Sequence, residues 1–176
     1  YKKFNIVICD EPGGLAVARQ KLLDHCRETQ VRDISYIDDD VICPPRWLEN
    51  VLRVLRGEFR ILGLTGPTYV LPQWRKNRDV FRYPLVRWFH DILFLSGTHG
   101  RPSHLSKSGT PSMVSNDLGC NYDGYCDYLE ACNMTFRIVP ELRFDSDYIG
   151  TSEWHELDAA LSLSRDYKGR SFYHSN

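Results

Sequence analysis

The hydrophobic pattern divides the chain into short apolar runs separated by glycine, proline and acidic breaks. Phe4 to Cys9 is a β-rich run ending at Asp10. Glu11-Pro12-Gly13-Gly14 breaks it before Leu15, Ala18, Leu22 and Leu23 recur at helical spacing. Ile34 to Ile37 is a second run, stopped by three aspartates, after which Pro44-Pro45 precedes an amphipathic stretch from Trp47 to Leu55. Ile61 to Leu64 and Thr68 to Leu71 read as strands on either side of Gly66-Pro67. This alternation of strand and helix predicts a layered α/β domain.

From Pro72 to Gly124 the periodicity weakens. Aromatic and basic residues such as Trp74, Arg75, Arg82, Trp88 and His90 are interspersed among turn formers, a composition typical of substrate loops. Order returns at Tyr128 to Ile138, another predicted strand, followed by a turn at Pro140 and a Phe144-Asp145 corner. Glu153 to Ser164 reads as a helix with Ser152 as its N-cap; Gly169 ends the helical region and Ser171 to Tyr173 reads as a final strand. There is no internal repeat, low-complexity tract or linker, and 176 residues suit one buried core, so residues 1–176 are expected to form a single domain.

Formal net charge is -1, so no global field favours nucleic acid or an anionic membrane surface, and any anionic ligand must be held locally. No apolar run approaches the about 20 residues of a membrane span. The six cysteines, Cys9, Cys26, Cys43, Cys120, Cys126 and Cys132, contain no CxxC pair. Reduced thiols and a cytoplasmic setting are therefore expected rather than a disulfide framework or a zinc cage.

The chemistry concentrates at Asp38-Asp39-Asp40. Adjacent carboxylates repel unless a cation or strong donors compensate them, and oxygen ligands of this kind suit Mg2+ or Mn2+. Taken alone, the triplet equally suits a solvated acidic turn before the helix that follows Pro44. Its position at the carboxyl end of a strand, where open α/β sheets bind ligands, favours a site.

The ordered set Gly13-Gly14-Leu15-Ala16-Val17-Ala18-Arg19-Gln20, Tyr36-Ile37-Asp38-Asp39-Asp40 and Pro45-Arg46-Trp47-Leu48-Glu49 resembles the GT-A glycosyltransferases, in particular glycosyltransferase family 2. Glu130 to Arg137 and Phe144-Asp145 are similar to that family's later strand and corner, while Gln20 stands where the family usually has Asn. The resemblance implies a Rossmann-like three-layer sandwich with a mixed, mainly parallel sheet. It also implies that residues 1–176 lack the first nucleotide-binding strands. The implied reaction is metal-dependent, inverting transfer of a hexosyl or deoxyhexosyl group from a nucleotide-diphosphate sugar. The acceptor would be a glycan, glycolipid or glycoprotein; neither nucleic acid nor a membrane span is implied.

On this resemblance, Gly14, Arg19, Asp38 and Asp39 face the donor, with the Arg19 guanidinium pairing either with the Asp38 to Asp40 loop or with the diphosphate, and Asp40, Asp38 and His174 hold Mn2+ or Mg2+. Glu156, with Glu153 as the second candidate, takes the proton of the attacking hydroxyl. Helix-start acidity also explains both glutamates without catalysis. Trp74, Trp88 and Trp154 could stack on sugar faces or serve the core. Two other readings stay open. One is a haloacid-dehalogenase-like phosphatase with Asp38 as nucleophile and Asp40 as acid, which also needs a later lysine, and neither Lys107 nor Lys168 stands in a fitting context for it. The other is a catalytically silent sugar-binding module of the same fold.

Overall fold

The computed structural model describes residues 13–68, 85, 88–89, 92–93, 102–109, 122–147, 155–167 and 169–174. Within them the order is helix α1 (Leu15–Glu28), strand β1 (Asp33–Ile37), helix α2 (Trp47–Gly57), strand β2 (Ile61–Thr65), strand β3 (Gly124–Cys126), strand β4 (Asn133–Arg137), helix α3 (His155–Tyr167) and strand β5 (Arg170–Tyr173). The expected strand at Phe4 to Cys9, the Ser152 cap, Glu153, Trp74, Trp154 and Lys168 lie outside the described residues, as do Cys9 and Cys120.

The five strands form one sheet in the order β1-β4-β2-β5-β3. Among the described strands the sheet is mixed, as expected, but not mainly parallel. Only β2 and β5 pair in parallel, and the other three ladders are antiparallel. The reason is the placement of β4: it inserts against the grain between β1 and β2, which would otherwise be parallel neighbours. Consequently β1, β2 and β5 all end at the edge where β4 and β3 begin.

Two clusters of buried side chains build the core. Ile34 and Tyr36 of β1 sit opposite Phe136 and Met134 of β4 in register, and join Leu23 of α1 and Ala159, Ala160 and Leu163 of α3. Tyr36, Phe136 and Phe144 meet edge to face, with centroids 5.3 to 6.3 Å apart, the geometry aromatic quadrupoles prefer. Val51 and Leu55 of α2 form the second cluster with Ile61 and Leu64 of β2. Leu62 belongs to the first cluster, and a register shift against β5 between Ile61 and Gly63 accommodates that departure from simple alternation.

Of the expected strand Thr68 to Leu71, Thr68 is not in a strand and the rest lies outside the described residues; one other strand expectation shortens. The run from Tyr128 pairs only from Asn133, because the Asn133 N–H turns back to the Glu130 carbonyl at 3.0 Å, leaving Leu129 to enter the core from a loop.

Candidate functional site

Gly13 and Gly14 set the entry to α1. Their φ values are 138° and 89°, and Gly14 combines the latter with ψ of -178°, a conformation essentially restricted to glycine. No side chain caps this helix end; the first helical bond is from the Ala18 N–H to the Gly14 carbonyl at 3.1 Å. The buried face of the helix comprises Ala16, Arg19 and Leu23, which follow helical spacing. Arg19 thereby enters the interior, where it is 3% exposed.

A buried guanidinium needs acceptors on its whole fork. Arg19 Nη1 meets His155 Nε2 at the start of α3, and Nη2 donates to the Ala131 carbonyl at 3.0 Å, just before β4. Nη2 also lies 3.9 Å from Asp38 Oδ1. The Tyr36 ring centroid is 5.7 Å from the guanidinium carbon, and the Tyr36 hydroxyl donates to the Arg19 carbonyl at 2.9 Å. Burial pushes the Arg19 pKa down, opposed first by Glu156 and then by Asp38. Burial also pushes the Tyr36 phenol up.

Arginine only donates hydrogen bonds, so His155 Nε2 accepts and its ring proton sits on Nδ1. Nδ1 lies 3.4 Å from Glu156 Oε2. The Glu156 side chain is 17% exposed, and Oε2 is buried without a hydrogen bond among the described residues. Arg19 therefore links three elements: the acidic turn after β1, the entry to β4 and the first turn of α3.

Asp38 occupies the first position of that acidic turn. Its N–H donates to the Cys132 carbonyl at 3.4 Å, and its carbonyl accepts from the Val41 N–H at 3.1 Å, closing a β-turn with Asp39 and Asp40 at the corner. All three aspartates are exposed. The turn itself suits aspartate, so local backbone chemistry accounts for part of the motif.

No family model matches the chain, and no curated protein does. Among solved structures, the chain is similar to A197 from STIV, at 15% identity and a TM-score of 0.50, over 96% of this chain and 68% of that one. At this identity the likeness concerns the fold alone.

His174, the third residue expected at a metal, stands elsewhere on the same edge. Its N–H donates to the Thr65 carbonyl at 2.9 Å and its Nδ1 is 2.7 Å from Asp123 Oδ1. Gly66 abuts it so closely that a Cβ there would fall 2.7 Å from the His174 carbonyl oxygen. Between β1 and β5 lie β4 and β2, so three strand spacings, roughly 14 Å, separate the strand bearing His174 from the one ending at Asp38. Among the described residues no group of three or more His, Cys, Asp or Glu side chains is arranged to hold a metal ion.

The structure thus brings Arg19, Asp38 and Glu156 together, leaves Asp39 and Asp40 on the adjoining turn, and sets His174 beside Asp123. Lys107 is exposed. Cys26, Cys43, Cys126 and Cys132 are free thiols. A groove at the opposite sheet edge is lined by Arg27, Arg32, Arg137, Val31 and Ile138. Its Arg27 is engaged with the Val139, Pro140 and Leu142 carbonyls and its Arg137 with those of Leu55 and Phe59, so these arginines close the backbone there. His155 and Asp123 escape a sequence reading. The available signal for His155 was its place beside Glu156 at the inward start of an acidic helix.

Proposed function

We propose that this chain is a GT-A-type glycosyltransferase, transferring a sugar from a nucleotide-diphosphate donor to an acceptor hydroxyl with inversion. One observation carries the reading: among the described residues Glu156 presents a buried carboxylate oxygen without a hydrogen bond, beside the same buried Arg19 that contacts Asp38. A proton acceptor for the incoming hydroxyl and an acidic turn suited to the donor diphosphate then share one organising cation. The order of the sequence motifs and the helices in both core clusters support the three-layer GT-A arrangement.

In this reading Glu156 accepts the proton of the attacking hydroxyl. His155 Nδ1 lies beside that carboxylate, 3.4 Å from Oε2. Arg19 serves as a positioning residue, because its fork is occupied by protein acceptors; of the two partners expected from sequence, the acidic loop and the diphosphate, it lies beside the first. The exposed carboxylates of Asp38 and Asp40 fit Mg2+ or Mn2+, which bind through one or two carboxylates and take their other ligands from phosphate and water. When bound, such a cation neutralises charge on the departing diphosphate. His174, whose Nδ1 faces Asp123, stands three strands from Asp38 and takes no part in this cation site.

The test is Glu156→Gln, which keeps size and polarity but removes the proton acceptor. Donor binding should persist while transfer falls by roughly 10² to 10⁴. Glu153→Gln is the matched control and should cost little. Near-normal transfer by Glu156→Gln would sink the assignment, and collapse only in Glu153→Gln would move the base to that residue.

A further inference from the structure

Two hollows adjoin at the sheet edge opposite the acidic turn. One, of about 650 Å³, is walled by Arg27, Arg32, Arg137 and Ile138; the other, of about 360 Å³, lies over Leu48, Leu52 and Arg56 of α2. Val31, Arg32 and Arg137 line both, so the two form one groove past the start of β1, of a size usual for small-molecule sites. The Arg32 carbonyl accepts from the Ile138 N–H at 2.8 Å, which fixes this wall to the end of β4.

The groove holds cations that the protein does not neutralise. Arg27 is paired with Asp24 at 3.1 Å. Arg137 donates to the Leu55 and Phe59 carbonyls, neutral acceptors that leave its charge uncompensated. The Arg32 and Arg56 side chains are exposed and make no hydrogen bond or ion pair among the described residues. Asp33 is the one carboxylate on the lining; it stands opposite Arg137 on the ladder but forms no ion pair among the described residues. Three uncompensated guanidiniums thus surround one carboxylate. Between them the lining is apolar: Val31 and Leu48 are 44% and 53% exposed, with Leu52 half-buried beside them. A bare anion would leave this apolar surface in water, and an apolar molecule would leave the guanidiniums without counter-charge.

We propose that the groove binds a small organic acid, its phosphate or carboxylate head among Arg32, Arg56 and Arg137 and its apolar body against Val31, Leu48 and Leu52. The planar guanidinium fork matches both kinds of head. The groove lies at the opposite end of β1 from Asp38, so its ligand does not compete for the acidic turn, and the inference stands apart from the proposed glycosyl transfer.

Amide chemical-shift titrations of the whole chain test it, with hexyl phosphate, hexanoate, inorganic phosphate and hexanol as probes. Hexyl phosphate or hexanoate should shift the amides of Val31, Arg32, Leu52 and Ile138 saturably, and the tighter of the two identifies the head. Inorganic phosphate lacks the body and hexanol the head, so each should bind more weakly by about tenfold or more. Arg32→Gln/Arg56→Gln should weaken the better amphiphile by about tenfold or more. Both side chains are exposed and unbonded among the described residues, so the urea midpoint of that variant should match the parent. Absence of saturable shifts with either amphiphile overturns the proposal, as does inorganic phosphate or hexanol binding as tightly as the amphiphiles. Undiminished binding by the double variant also overturns it. So do shifts confined to the Asp38 turn, because the anion would then occupy the donor edge.

Discussion

Arg19 is the residue on which the site turns, and its burial makes it sensitive to its acceptors. Removing one partner of a buried charged group leaves a desolvated donor, which costs more than the net value of the bond it made. His155→Phe fills similar space but cannot accept from Arg19 Nη1. It should lower unfolding free energy by about 1 to 3 kcal/mol in urea titrations. His155→Gln, which keeps an acceptor, should recover much of that loss. Equal stability of His155→Phe and the parent would mean that Arg19 finds no essential partner there. Arg19, Asp38 and Glu156 were each legible as candidates because their local patterns are distinctive. The approach of Arg19 to the Asp38 loop was legible too, but its meeting with His155 beside Glu156 was not, since Arg19 and His155 are 136 positions apart and no local pattern records which helix start an inward arginine meets.

At the scale of elements, the C-terminus of α1 shows backbone geometry that the sequence does not advertise. The Val31 N–H bonds the Cys26 carbonyl at 2.8 Å and the Gln30 N–H bonds the Arg27 carbonyl at 3.1 Å, the paired bonds of a Schellman cap. Gln30 occupies the left-handed position, with φ of 56°, where glycine is usual. A left-handed L-residue costs roughly 1 to 2 kcal/mol, partly offset for glycine by its greater freedom when unfolded. Gln30→Gly should therefore stabilise by about 1 kcal/mol, raising the urea midpoint without changing the slope; an unchanged or lower midpoint refutes it. Helices and strands with clear periodicity, such as Leu15–Glu28 and Ile61–Thr65, could be read from the chain. Pairing direction could not. Nothing in Asn133–Arg137 by itself says that this strand runs antiparallel between two others, because its partners are set by tertiary packing.

For the whole molecule, the sheet topology decides what can act together. Because β1, β2 and β5 end where β3 and β4 begin, one edge carries the acidic turn, the Thr65-Gly66 corner, the Asp123–His174 pair and the Arg19 cluster. Asp38, Asp39 and Asp40 are exposed there without a converging set of further metal donors among the described residues. A divalent cation held by so few protein oxygens would depend on the diphosphate for its remaining ligands, so the two should bind as a unit. A nucleoside diphosphate at 100 times its Kd adds about 2.7 kcal/mol to apparent stability, and at this chain length each kcal/mol shifts Tm by about 2 to 4 °C. With Mn2+, the matching nucleoside diphosphate should therefore raise Tm by about 5 to 11 °C, and with EDTA by almost nothing. Asp40→Ala should lose most of the Mn2+-dependent increment, and Asp38→Ala should additionally lower Tm without ligand through its contact with Arg19. A panel of uridine, guanosine, adenosine and thymidine diphosphates in Mn2+ and in EDTA checks this directly. Equal shifts in the two media would remove the cation from the donor site, and an undiminished Mn2+ effect in Asp40→Ala would remove that residue from its coordination.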